Sequence, residues 1–192
     1  AWMREKAGSL GAVVSGSVIT REGGRIFNRL HWIMPDGRTD HYDKRHLFRM
    51  GRENEYFAAG TLRKVFPLGA FRLCPQICYD LRFPVFSRNR NDYDILFYVA
   101  NWPAPRHEVW KTLLKARAIE NQSYVVGVNR TGRDGLGVDH KGGTCVFDPY
   151  GGEILQLDHQ AGIARVILSL DLVRNFRKKF PAWKDADDFR LV

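Results

Sequence analysis

Cys74-Pro75-Gln76-Ile77-Cys78-Tyr79-Asp80-Leu81-Arg82-Phe83-Pro84 is the stretch that decides the fold. An extended apolar segment, Phe71 to Ile77, runs into it, and a short helix over Phe83 to Asn89 is predicted to leave it, with Pro84 suited to the first turn. Pro75 argues against a fully regular strand. A strand that gives way to a helix belongs to a layered α/β domain, and a side chain at the corner projects from the sheet edge. Cys78 holds that corner, and the backbone N–H of the next residue, Tyr79, is placed to donate to an oxyanion. The competing reading of Cys78 is a buried apolar cysteine, because free Cys is among the most buried residue types. Cys74 and Cys145, flanked by strand residues, read as structural.

Outward from the corner, Ile95 to Ala100 is a continuous apolar run suited to a strand buried on both faces. Glu108 to Gln122 places Val109, Trp110, Leu113, Leu114, Ala116 and Ile119 at helical spacing on one broad face. Tyr124 to Asn129 reads as another buried strand, Gly132 to Gly143 as a glycine-rich loop, and Thr144 to Phe147 and Ile163 to Leu168 as two further strands around a turn at Asp148 to Gly152. Upstream, residues 12 to 20 and 26 to 34 form a hairpin of long strands about Gly23-Gly24. Asp171 to Lys179 looks helical. Strands and helices interleaved in this way imply an α/β layered domain.

The chain has 192 residues, 44% hydrophobic and 27% charged, enough apolar material for one domain over residues 1 to 192. No run approaches the roughly 18 to 20 apolar residues of a membrane span, and the N-terminus lacks the zones of a signal peptide. Three cysteines make no disulfide framework and point to a reducing, cytoplasmic setting. The six histidines show no paired ligand spacing, so no metal and no other cofactor is expected. A serine-hydrolase elbow is absent, and Gly135-Leu136-Gly137 does not continue into a phosphate-binding loop. The net charge of +9 fits either anionic substrates or a nucleic-acid partner, for which Arg174, Arg177, Lys178 and Lys179 would be the footprint. A cationic helix of this kind is more often solvated or turned toward another subunit, so no nucleic-acid or membrane partner is expected.

A second stretch, Tyr42-Asp43-Lys44-Arg45-His46-Leu47-Phe48, sets a lysine 34 residues before Cys78. Taken alone Lys44 is a solvated charge. Together the two stretches resemble the carbon-nitrogen hydrolase (nitrilase) superfamily, and the resemblance continues through Asn101-Trp102-Pro103, Lys115 to Asn121, Gly127 to Arg130 and Asp148 to Gly151. Within it, YDKRHLF, CYDLRFP and VANWPAPR look most like omega-amidases acting on 2-oxoglutaramate.

That resemblance implies an α-β-β-α layered sandwich, a Glu-Lys-Cys triad, a small-molecule amide substrate and a homo-oligomer, a dimer. Cys78 would be the nucleophile, and Lys44 would raise the thiolate fraction and hold the oxyanion beside the Tyr79 amide. Glu53, seven residues before Gly60, matches the family's second glutamate, with Glu55 in reserve; its implied role is to orient the substrate amide and the attacking water. Arg82 is a candidate clamp for a substrate carboxylate, its alternative being an ion pair with Asp80; Arg130 and Arg106 are weaker candidates, and Trp102 would wall the pocket. The family's general base lies at the end of an apolar strand near the N-terminus. Neither Glu5 nor Glu22 has that setting, and Ala1 to Ala7 starts in mid-helix pattern without an initiator Met. The expectation is therefore a chain that begins at the family's second helix, lacks its first strand and helix, and is inactive alone. Other amidases or nitrilases, an inactive binding relative and a basic binding module are the alternatives.

Overall fold

The structure, a computed structural model, describes residues 1–157 and 159–190. In chain order its elements are α1 (Trp2–Leu10), β1 (Val14–Glu22), β2 (Arg25–Ile33), β3 (Thr39–Asp43), α2 (Glu53–Tyr56), β4 (Phe66–Leu68), β5 (Phe71–Ile77), α3 (Pro84–Ser87), β6 (Ile95–Ala100), α4 (His107–Asn121), β7 (Tyr124–Asn129), β8 (Thr131–Arg133), β9 (Asp139–Lys141), β10 (Cys145–Phe147), β11 (Glu153–Gln156) and α5 (Leu170–Lys179). A 3-10 turn over Cys78–Arg82 joins β5 to α3.

Two sheets result. β1, β2 and β3 form an antiparallel sheet, with Val14 opposite Ile33 and Glu22 opposite Arg25 across the hairpin. The larger sheet runs β11-β10-β7-β6-β5-β4, with β5, β6 and β7 mutually parallel. Period-two alternation sorts its side chains to two faces. Leu73, Ile77 and Ile95 point toward Leu30, Trp32 and Tyr42 of the small sheet, closing a core between the sheets. Cys74, Leu96, Tyr98 and Val125 point the other way, onto Trp110, Leu114 and Ala118 of α4. Both faces of β6 are thus covered, the physical reason its sequence reads as an unbroken apolar run. With α1 packed on β1 and β2, the order of layers is α-β-β-α.

Pro75 sits inside a regular strand, paired with Phe97. The difference from expectation has a simple cause: β4 pairs only with Phe71, Arg72 and Leu73, so Pro75 has no strand on that side to miss its N–H. α4 buries Arg117 while Ile119 stays exposed, the reverse of the apolar periodicity. The Arg117 guanidinium donates through its terminal nitrogens to the Leu81 carbonyl at 2.7 Å and to Glu120 at 3.1 Å. Residues 163 to 168 form no strand; Ile163 and Ile167 are exposed, and the segment finds no strand partner among the described residues. Part of the glycine-rich loop is instead the small β8–β9 hairpin.

Candidate active site

β5 ends at Ile77, and the next residue turns the chain. Cys78 has φ +49°, a left-handed conformation rare for any side chain but glycine, asparagine or aspartate. The sharp turn lifts its thiol out of the sheet end into a cleft of about 610 Å³. The cleft is lined by Cys78, Tyr79, Lys44, Glu53, Arg82, Trp102, Arg106 and Arg130, among others. Every residue singled out from the sequence for the site therefore meets there except Glu55, which lies outside and pairs with Arg52.

Lys44 follows β3 and is 1% exposed. Its backbone is fixed on both sides, the N–H donating to the Asn28 carbonyl and the carbonyl accepting from Gly60 N–H, each at 2.9 Å. Gly60 is required at this spot, because a Cβ there would collide with the Asp43 backbone. The buried ammonium donates to both Glu53 carboxylate oxygens, at 2.9 and 2.7 Å, and Glu53 also accepts from Phe48 N–H at 2.8 Å. A buried charge needs such a partner. Glu53 is the only carboxylate among the described residues lining the cleft.

Cys78 titrates above an ordinary thiol. Burial disfavours the thiolate most strongly; Lys44 and a backbone hydrogen bond from Asn101 work against it without winning. The expected help from Lys44 is present in sign, but the resting group is a thiol. Cys74 and Cys145 are pushed by burial up to about 12, as suits structural cysteines.

Arg82 does not pair with Asp80. The turn directs Asp80 inward, where it is wholly buried, while Arg82 stays exposed with its guanidinium 5.5 Å from the Trp102 ring centre. Arg106 lies similarly over Phe48, at 5.4 Å, and Arg130 is exposed. None of these three arginines makes an ion pair among the described residues. Trp102 is itself nearly buried, and its indole N–H donates to the Arg106 carbonyl at 2.7 Å.

Sequence reading gave no role to Asn129, the last residue of β7. Its buried amide accepts from Trp102 N–H at 2.7 Å and donates to the carbonyls of Trp102 and Gly142, at 3.1 and 2.7 Å, clamping the Asn101-Trp102 loop over Cys78. A polar residue closing an apolar strand was the available signal. Glu5 is exposed on α1, and Glu22 is bound to Arg29 at 2.8 Å; neither lines the cleft. The basic C-terminal cluster is not one surface, since Arg177 is buried and bound to Asp94 and to the Gln122 and Tyr93 carbonyls.

With a thiol at a strand-to-helix corner beside a buried lysine and carboxylate, on a four-layer α/β frame, the chain belongs to the carbon-nitrogen hydrolase family, whose model matches residues 1–178. It is 49% identical to the Omega-amidase YafV of Escherichia coli K12, an alignment covering 99% of this chain and 75% of that protein. It is 33% identical to the 2-oxoglutaramate amidase of Bacillus subtilis, over 96% of this chain and 72% of that one. Among solved structures it resembles a CN-hydrolase superfamily protein of Xanthomonas campestris carrying an arsenic adduct in its active site, with a TM-score of 0.97, 44% identity, and coverage of 100% of this chain and 75% of that one. The expectation that the chain alone is inactive draws no support from these relatives.

Proposed function

We propose that this protein hydrolyses the ω-amide of a short 2-oxo acid, 2-oxoglutaramate or 2-oxosuccinamate, to the 2-oxo dicarboxylic acid and ammonia through a Cys78 thioester. The observation that carries this reading is the meeting of Cys78, Lys44 and Glu53 in one cleft whose wall holds three arginines without carboxylate partners among the described residues. The names of the Escherichia coli and Bacillus subtilis relatives support the same substrate class.

Amides are poor electrophiles, so attack requires a thiolate and stabilisation of the oxygen as it becomes negative. In this proposal the Cys78 sulfur adds to the amide carbon, and the oxygen turns toward the Lys44 ammonium and the Tyr79 N–H. The C–N bond breaks, nitrogen leaves as ammonia carrying the thiol proton, and water then cleaves the thioester. Glu53 balances Lys44 and holds its point charge in place, with its carboxylate also oriented toward the substrate amide and the attacking water. The proton acceptor is assigned to neither Glu5 nor Glu22. Arg82, with Arg106 or Arg130 beside it, receives the substrate carboxylate at the far end of the cleft, and Trp102 walls it. A cytoplasmic homodimer belongs to the same proposal; sedimentation equilibrium tests the dimer.

The test is ammonia release from 2-oxoglutaramate by the wild-type chain and by Cys78→Ala. Release that depends on Cys78 is expected; release undiminished in Cys78→Ala overturns the reading.

A further inference from the structure

We propose that Asp80 is a positioning residue that sets Lys44 against Cys78, a proposal that rests on reading these two as the reacting pair. Asp80 is fully buried, does not line the cleft and makes no ion pair with Arg82. One of its oxygens accepts from the Tyr42 hydroxyl at 2.7 Å and from Ile77 N–H at 2.9 Å. The other accepts from His46 N–H at 2.9 Å and from His46 Nδ1 at 2.8 Å. The Tyr42 oxygen in turn accepts from Arg45 N–H at 3.2 Å.

The placement of these donors is the point. Tyr42, Arg45 and His46 surround Lys44 in the chain; Ile77 precedes Cys78, and Asp80 follows it by two residues. One buried carboxylate therefore ties the lysine segment to the nucleophile turn. The Cys78 backbone, at φ +49°, is costly to hold and needs such anchoring.

Four donors converge on two oxygens, which uses the acceptor capacity of a carboxylate. Burial beside Asp80 holds the Tyr42 phenol well above its ordinary range, so it stays a donor. His46 must carry its proton on Nδ1 to complete the set. Its ring is kept in that orientation by stacking on Phe83, with centroids 3.8 Å apart and planes 7° from parallel, and by an edge contact with Phe86 at 5.2 Å. An asparagine at position 80 would have the right shape but would turn an NH2 toward two of these donors.

His46 gives the cleaner test, because two variants share the loss of the ring and differ in the donor. His46→Asn offers an amide N–H close to where Nδ1 lay; His46→Ala offers none. In the full chain, His46→Ala should lower kcat for ammonia release by about ten- to a hundredfold, the order expected when a reacting group is displaced by a fraction of an ångström to 1 Å, with KM little changed. Iodoacetamide labelling of Cys78 at neutral pH should slow in parallel, because Lys44 would favour the thiolate less. His46→Asn should recover most of both losses. Asp80→Asn should lose more than His46→Ala; if it does not fold, the His46 pair still decides. Equal kcat and equal labelling in His46→Ala and His46→Asn, or a loss confined to KM, overturns the proposal and leaves His46 a packing residue. Cys78→Ala, run beside them, separates the two levels: ammonia release that survives it removes the reacting pair itself, whereas its loss alongside an unimpaired His46→Ala rejects only the role of Asp80.

Discussion

At Cys78, burial raises the thiol while Lys44 and the Asn101 backbone lower it, and burial prevails. Labelling by iodoacetamide needs the thiolate, so its rate should climb with pH and reach half its limit above the pH at which free cysteine does. Lys44→Met removes a lowering influence and should push that midpoint further up. Peptide mapping over a pH series measures both; a midpoint below that of free cysteine would refute the assignment of burial as the dominant effect. Lys44→Ala should lower turnover about 100-fold or more, as for the loss of one oxyanion donor, and Lys44→Arg should not rescue it because the planar fork cannot replace a point charge held by Glu53. For Arg82, kcat/KM for 2-oxoglutaramate and for an uncharged amide of the same length should be compared. Arg82→Ala should cost roughly 2 to 4 kcal/mol on the anionic substrate and little on the neutral one. Equal losses would place the substrate carboxylate elsewhere. These residues were legible because the corner and the lysine lie in short contiguous stretches. The alternative of an Asp80–Arg82 ion pair fails because closeness in sequence says nothing of direction: the 3-10 turn over Cys78–Arg82 sends one inward and the other out.

The elements that carry the site depend on a few close approaches. Gly60 lets the loop after α2 lie against the backbone of Asp43 and donate to the Lys44 carbonyl. Gly60→Ala must move one of the two segments, so it should lower both melting temperature and kcat, which calorimetry and the ammonia assay would show together. Gly127 of β7 faces Leu114 and Trp110 of α4 closely enough that Gly127→Ala overpacks that layer, by a typical 1 to 3 kcal/mol. At α5, Ser169 caps the helix by accepting from Leu172 N–H at 3.4 Å, and Ser169→Ala should cost about 1 kcal/mol with activity unchanged. The hairpin β1–β2, the strands β5, β6 and β7, and α4 were all readable from periodicity and turn residues. What escaped was of two kinds. β3, β4, β11 and the β8–β9 hairpin have strands of three to five residues, too short to show a period. Residues 163 to 168 have strand composition, but a strand is a pairing, and no partner strand lies beside them among the described residues.

Across the whole molecule, two sheets and their flanking helices hold a cleft whose wall is cationic, in a chain of net charge +9. Attraction between exposed charges is screened over about 8 to 10 Å at ordinary salt, so KM for 2-oxoglutaramate should rise several-fold with salt while KM for a neutral amide stays nearly constant. Parallel salt titrations check this, and identical responses would mean that the arginines take no part in capture. The layered architecture followed from the interleaving of strand and helix patterns, whereas the depth of Lys44 did not, because burial of a lysine depends on a carboxylate nine residues away in sequence reaching it in space. The chemistry proposed for the cleft comes down to one covalent bond. Acid-quenching the enzyme during turnover of 2-oxoglutaramate and measuring intact mass, then mapping peptides, reads that bond directly. A mass gain equal to the substrate minus ammonia, located on the peptide carrying Cys78 and absent in Cys78→Ala, is the expected result; ammonia release with no adduct on Cys78, or with an adduct on Cys74 or Cys145, would contradict it.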